Sequence, residues 1–144
     1  MPFTERHVAQ DHVRIVCNVP NDELVREYYA RALIGLHTMR DEHFGIGVVE
    51  MMAAGTIVVA HDSAGPREDI VVPYNGHATG LLASTADEYA RAIERVLHMS
   101  EAQRIELQVN ARQSLQRFSD ETFARNVIEA LDTLPSFQRA LHQQ

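Results

Sequence analysis

Apolar residues along the 144-residue chain fall into short β-rich runs and longer stretches with one apolar face. Residues 13–19 (VRIVCNV) predict a strand, and PNDELVREYYARA predicts a helix after it, with Asn21 or Asp22 at the N-cap. Residues 33–38 (LIGLHT) predict a second strand, residues 47–54 a short apolar helix stopped by Gly55, and residues 56–61 (TIVVAH) a third strand. Strands alternating with helices imply an α/β fold, a parallel sheet flanked by helices. Beyond it, DSAGPRED reads as a turn-rich loop, DIVVP as a brief strand or extended segment, PYNGHATG as another loop and GLLA as a short edge.

Thr85 with Glu88 forms a capping box opening a helix. Its residues Ala86, Tyr89, Ala90, Ile93, Val96 and Leu97 are expected on one face, packed on the sheet. Two more helices begin at Ser100 and Ser119, the second amphipathic through Phe123, Val127, Ile128 and Leu131. Packing is expected of that face, because a membrane-surface helix carries a polar face rich in Lys and Arg. Residues 1–135 read as one domain and residues 136–144 as a disordered tail.

Composition narrows the function classes. A hydrophobic fraction of 45% and a charged fraction of 23% are those of an ordinary globular domain. No apolar run approaches the roughly 20 residues that cross a bilayer, and residues 1–20 lack a signal-peptide stretch. A net charge of −7 without any basic cluster argues against nucleic acid as the partner. All 13 basic residues are arginine, so no lysine of this chain clamps a phosphate or forms a Schiff base. Cys17, inside VRIVCNV, reads as a packed core thiol. His37 and His43 flank the loop before the short apolar helix, and His61 and His77 read as loop residues. None has metal-ligand spacing beside acids or cysteines, so no metal is expected.

The stretch from Leu33 to Gly55 predicts a strand, a glycine-containing loop and a helix, which aims backbone N–H groups and a helix dipole at an anion. Gly45 and Gly47 permit close approach by a phosphate, although glycine serves equally to turn a chain. Glu50 lies in a helix otherwise composed of Val48, Val49, Met51, Met52, Ala53 and Ala54, where a carboxylate is costly unless satisfied. A salt bridge to Arg14 or Arg67 satisfies it, and so does a pair of sugar hydroxyls. Glu42, eight residues earlier, is either a solvated loop acid beside Asp41 or the second carboxylate of a nucleotide-sugar site.

The spacing of Glu42 and Glu50 within EHFGIGVVEMMAAGTIVVA resembles the hallmark of the retaining GT-B glycosyltransferases of family 4. SAGPREDIV, NG and TGLL follow in that family's order, so the resemblance covers roughly residues 13–131. The wording LIGLHTMRDEHFGIGVVE and GPREDIVVP, with His43 where most members carry glycine, is similar to the subgroup of α-1,2-mannosyltransferases that extend a dolichol-linked oligosaccharide from GDP-mannose.

The resemblance implies a partial Rossmann-like sheet, the C-terminal nucleotide-sugar-binding domain of a GT-B fold. It implies metal-independent chemistry with GDP-mannose as donor substrate and a lipid-linked oligosaccharide as acceptor, at the cytosolic face of the endoplasmic reticulum membrane. By the same resemblance Glu42 and His43 belong to the donor site, with Glu42 bonding hydroxyls of the transferred sugar. The backbone of Phe44, Gly45, Ile46 and Gly47 faces sugar and diphosphate, Glu50 holds the ribose, and Asn18, Val19 and Pro20 lie against the base. Ala64 stands where the family usually has the first of two glycines. The family's basic diphosphate clamp, first strands and acceptor domain are expected upstream of residue 1, together with membrane association. No acceptor-side catalytic residue is therefore expected in this segment, which is expected to be inactive alone and prone to self-association through an exposed sheet edge. Two other readings stay open: a related enzyme using another nucleotide sugar, and a non-catalytic nucleotide-binding module. An NAD-binding domain is disfavoured by the absence of GxGxxG after a strand.

Overall fold

A computed structural model of the chain describes residues 12–134. Strand β2 (Ile57–His61) is buried along its whole length, which is why it reads as an unbroken apolar run instead of an alternating one. On one side it pairs in parallel with β1 (Ile34–His37), Ile34 opposite Ile57, and on the other with β3 (Leu81–Ala83), Val59 opposite Leu81. The sheet order β1-β2-β3 follows the chain, and parallel pairing requires a crossover each time. Helix α2 (Ile46–Ala54) makes the first crossover.

Alternation along β2 divides the core into two layers. Val58 and Ala60 face Val48, Met51 and Met52 of α2 together with Ile70, Val71 and Ala111. Ile57 shares a cluster with Val96 and Leu107, and Val59 one with Ala83 and Ala92. The expected parallel α/β sheet flanked by helices is therefore present.

Local signals placed most helix ends correctly. Gly55, at φ 94°, ends α2 in the left-handed conformation. Helix α3 (Ala86–His98) opens with the expected Thr85–Glu88 capping box, and α4 (Glu101–Ser114) with a Ser100–Gln103 box. A 3₁₀ turn (Leu115–Phe118) leads into α5 (Asp120–Asp132), where Ser119 accepts from the Thr122 N–H at 3.2 Å.

Five expectations need correction. Residues 13–19 form no strand: Ile15 is 84% exposed and Cys17 is an exposed thiol, not a core one. A β-rich composition only suits a segment to a pleated surface, and a ladder needs a neighbour. Helix α1 (Asn21–Glu23) continues through a π-helical turn (Leu24–Tyr28) and a 3₁₀ turn (Tyr29–Arg31), and its N-cap is Pro20, not Asn21 or Asp22. DSAGPRED is partly helical, with a π-helical turn over Pro66–Ile70 begun by a proline that has no N–H to leave unsatisfied; Ile70 and Val71 enter the core without forming a strand. Helix α3 rests on the sheet through Ala92 and Val96, while Ala86, Ala90 and Leu97 stay exposed. Finally, α5 buries no residue: Phe123 is 71% exposed and Ile128 58%, so its apolar stripe stays largely exposed. The predicted tail, residues 136–144, lies outside the described residues, in which no helix is long and apolar enough to cross a membrane.

Candidate functional site

Parallel pairing brings the C-terminal ends of β1 and β2 to one side of the sheet, so the loops that follow them are neighbours. These loops are stitched together. The Asp41 N–H donates to Ser63 Oγ at 2.9 Å, and the Gly65 N–H donates to the Glu42 carbonyl at 2.9 Å. Gly65 lies so close beneath the 43–44 backbone that a Cβ there would stand 2.6 Å from Phe44 Cα. Asp41 and Ala64 both take positive φ, 52° and 41°, as the two turns fold against each other.

Glu42 is half-buried at the end of this arrangement. Its Oε2 lies 3.9 Å from His37 Nε2 at the end of β1. The His37 Nδ1 is buried without a hydrogen-bond partner, and the His37 carbonyl accepts from the Tyr89 hydroxyl of α3 at 3.0 Å. Burial raises the Tyr89 phenol above its ordinary range, so this hydroxyl keeps its proton.

Gly45 then turns the chain into α2 at φ 107°, with no side chain capping the helix. The first backbone N–H groups of a helix have no intrahelical acceptor, so those of Ile46 and Gly47 are left for a ligand or water. No acid stands in that first turn, and beyond its own stretch of the helix no heavy atom lies within 4 Å of where a Gly47 Cβ would be. The site is thus uncrowded and polarised positive by the helix dipole, as an anion requires. The Phe44 ring packs edge-on against Phe118, centroids 5.2 Å apart, which anchors the loop to the turn after α4.

Glu50, in the second turn of α2, is half-exposed, and its Oε1 accepts from the Asn21 amide at 3.2 Å. Neither arginine considered as its partner pairs with it: Arg14 lies over the Tyr28 ring at 5.9 Å, and Arg67 binds Glu68 at 2.6 Å. Burial first, and the Glu50 charge second, raise the Tyr29 phenol above its ordinary range. Because Asn21 touches Glu50, the preceding residues Asn18, Val19 and Pro20 arrive on the Glu50 side, Asn18 at φ 55° and exposed. His43 is exposed. Among the described residues no three His, Cys, Asp or Glu side chains are grouped to hold a metal ion.

The structure therefore brings Glu42, Phe44, Gly45, Ile46, Gly47 and Glu50 together around one helix start, with the 18–20 segment beside Glu50. Sequence reasoning missed Ser63, Asn21 and Phe118, which hold these residues in place from other segments. No spacing rule marks such contacts, although the glycine-proline motif did mark Gly65.

The family profile described as Glycosyl transferases group 1 matches residues 4–114. The chain is 49% identical over 126 residues to the human GDP-Man:Man(3)GlcNAc(2)-PP-Dol alpha-1,2-mannosyltransferase, covering 88% of this chain and 25% of that protein. It is 45% identical over 125 residues to the Dictyostelium discoideum protein of the same name, covering 87% and 24%. The chain thus spans about a quarter of the length of the curated relatives it matches. Among solved structures, the sucrose-phosphate synthase of Thermosynechococcus elongatus superposes with a TM-score of 0.70 at 28% identity over 94% of this chain and 32% of that one. Anabaena HepE in complex with UDP and glucose gives 0.60 at 27% identity over 76% and 30%. These neighbours give the fold its place as part of a GT-B glycosyltransferase.

Proposed function

The chain belongs to the group 1 glycosyl transferases, and from that membership we propose that it is the donor-binding part of a retaining α-1,2-mannosyltransferase. The donor is GDP-mannose, and the acceptor is a mannose hydroxyl of a lipid-linked oligosaccharide in N-glycan precursor synthesis. The observation that carries the reading is the pair of carboxylates, Glu42 before and Glu50 after the uncapped start of α2. The near half-identity to relatives whose name states this reaction supports it.

In this reading the diphosphate rests on the Ile46 and Gly47 N–H groups, where the helix dipole stabilises the charge that develops as the sugar departs. Glu42 accepts from hydroxyls of the mannose. Glu50 exchanges its Asn21 partner for the two ribose hydroxyls, and residues 18–20 flank the guanine. A metal is unnecessary because the helix start, together with basic residues of the longer protein, neutralises the leaving group. Acceptor recognition and attachment to the endoplasmic reticulum membrane, with the donor site on the cytosolic face, belong to the longer protein.

Titration calorimetry of the chain with GDP, GDP-mannose, UDP-glucose and ADP-glucose tests the proposal. Tightest binding is expected for the guanine nucleotides. Glu50→Ala is expected to weaken GDP by roughly tenfold, the loss of one charge-assisted hydroxyl pair. Equal affinity for all four nucleotides, or a Glu50→Ala variant that binds GDP like the parent, overturns the assignment.

A further inference from the structure

We propose that Ser63 is a positioning residue that sets the sugar-reading carboxylate of Glu42, acting from the loop after β2 without touching the ligand. The inference rests on the reading of Glu42 given above. Ser63 Oγ has one proton to give and two lone pairs to accept, and the structure gives it two partners. The Asp41 N–H donates to it at 2.9 Å, and His61 Nδ1 lies 2.9 Å away. The amide can only donate, so Oγ accepts from Asp41; the bond to His61 Nδ1 forms in either direction, with Oγ–H donating to a bare ring nitrogen or a second lone pair accepting from Nδ1–H, and ties the two side chains in both cases.

His61 is the last residue of β2, 7% exposed and paired in register with Ala83 of β3, so it is as fixed as the sheet. The hydroxyl thereby ties the residue preceding Glu42 to the most rigid strand of the fold. On the far side, the Gly65 N–H holds the Glu42 carbonyl at 2.9 Å. The 40–41 peptide unit before the Asp41–Glu42 pair and the 42–43 unit after it are thus both held by the 62–66 loop, and the side chain leaves from a stretch of backbone pinned at either end. Without the hydroxyl, the positive φ of Asp41 loses the hydrogen bond that holds it, and the loop is free to relax toward the commoner region.

Two near-isosteric variants separate the hydroxyl from the shape. Ser63→Thr keeps it and Ser63→Val removes it. Amide hydrogen exchange of the unliganded chain is expected to show Asp41 protected in the parent and in Ser63→Thr, and exchanging at least about tenfold faster in Ser63→Val. By calorimetry, Ser63→Val is expected to weaken GDP-mannose about tenfold while leaving GDP within about twofold, because only the sugar end is read by Glu42. Parent-like exchange at Asp41 in Ser63→Val overturns the proposal, and so does equal weakening of GDP-mannose and GDP, which is the signature of a merely structural role. Glu42→Ala provides the separate control: if it leaves the ratio of GDP-mannose to GDP affinity unchanged, the reading of Glu42 itself fails, whatever the Ser63 variants show.

Discussion

Gly65 and Gly47 stand at the same site and answer to different constraints. Gly65 has an ordinary φ of −52°, so only space demands glycine: a Cβ there would press on the His43 and Phe44 backbone. Gly65→Ala is expected to cost about 1–3 kcal/mol, as overpacking does, and to lower the thermal midpoint together with GDP-mannose affinity. Gly47 sits inside α2 with open space where its Cβ would be, so alanine there is expected to stabilise the fold by about 0.5–1 kcal/mol. Gly47→Ala should nonetheless bind GDP-mannose less tightly, because the methyl occupies the approach to the helix N–H groups. Thermal melts and calorimetry on the two variants give opposite signs in stability and the same sign in binding. Glu42 and Glu50 were legible in the sequence, one as half of a spaced pair and the other as a carboxylate among apolar neighbours. Ser63 and His37 were not, because a single serine or histidine acquires its role only from what a distant loop presents to it.

At the scale of elements, the capping boxes show how far local chemistry reaches. The Glu88 carboxylate accepts from the Ser84 N–H at 2.6 Å and the Thr85 N–H at 3.1 Å, and these bonds, chiefly the one from Ser84, hold its pKa below the ordinary carboxylate range. A folded-state pKa lowered in this way contributes stability that is present above the unfolded value and is lost as pH falls through the lowered one. The thermal midpoint is therefore expected to fall on acidification below the ordinary carboxylate range, and to fall less in Glu88→Gln, whose cap does not titrate. A pH series of melts on the two proteins checks this, and parallel curves would contradict it. Such boxes were readable because all their atoms lie within four residues. The strand expected at residues 13–19 failed for the converse reason: its hydrogen bonds depend on a neighbouring strand that local composition cannot supply.

Among the described residues, burial declines from β2 toward the C-terminal helix. Every residue of β2 is buried and none of α5 is, although α5 carries Phe123, Val127 and Ile128 along one side. An isolated helix of this length is marginal in water, so α5 amides are expected to exchange orders of magnitude faster than those of β2. Phe123→Ser is expected to shift stability by no more than about 0.5 kcal/mol, as surface substitutions do. Slow exchange throughout α5, or a large loss of stability in that variant, would show the stripe to be packed after all. The sequence announced the amphipathic stripe but not its exposure, since periodicity describes one helix and not its neighbours.

The sheet order β1-β2-β3 has a consequence for biosynthesis. Each strand pairs with the one translated just before it, across a single intervening crossover, so every rung can form once its own segment has left the ribosome. The loop between β1 and β2 thus has both of its flanking strands in place before α3 is made, and its braces from Tyr89 and Phe118 are added afterwards.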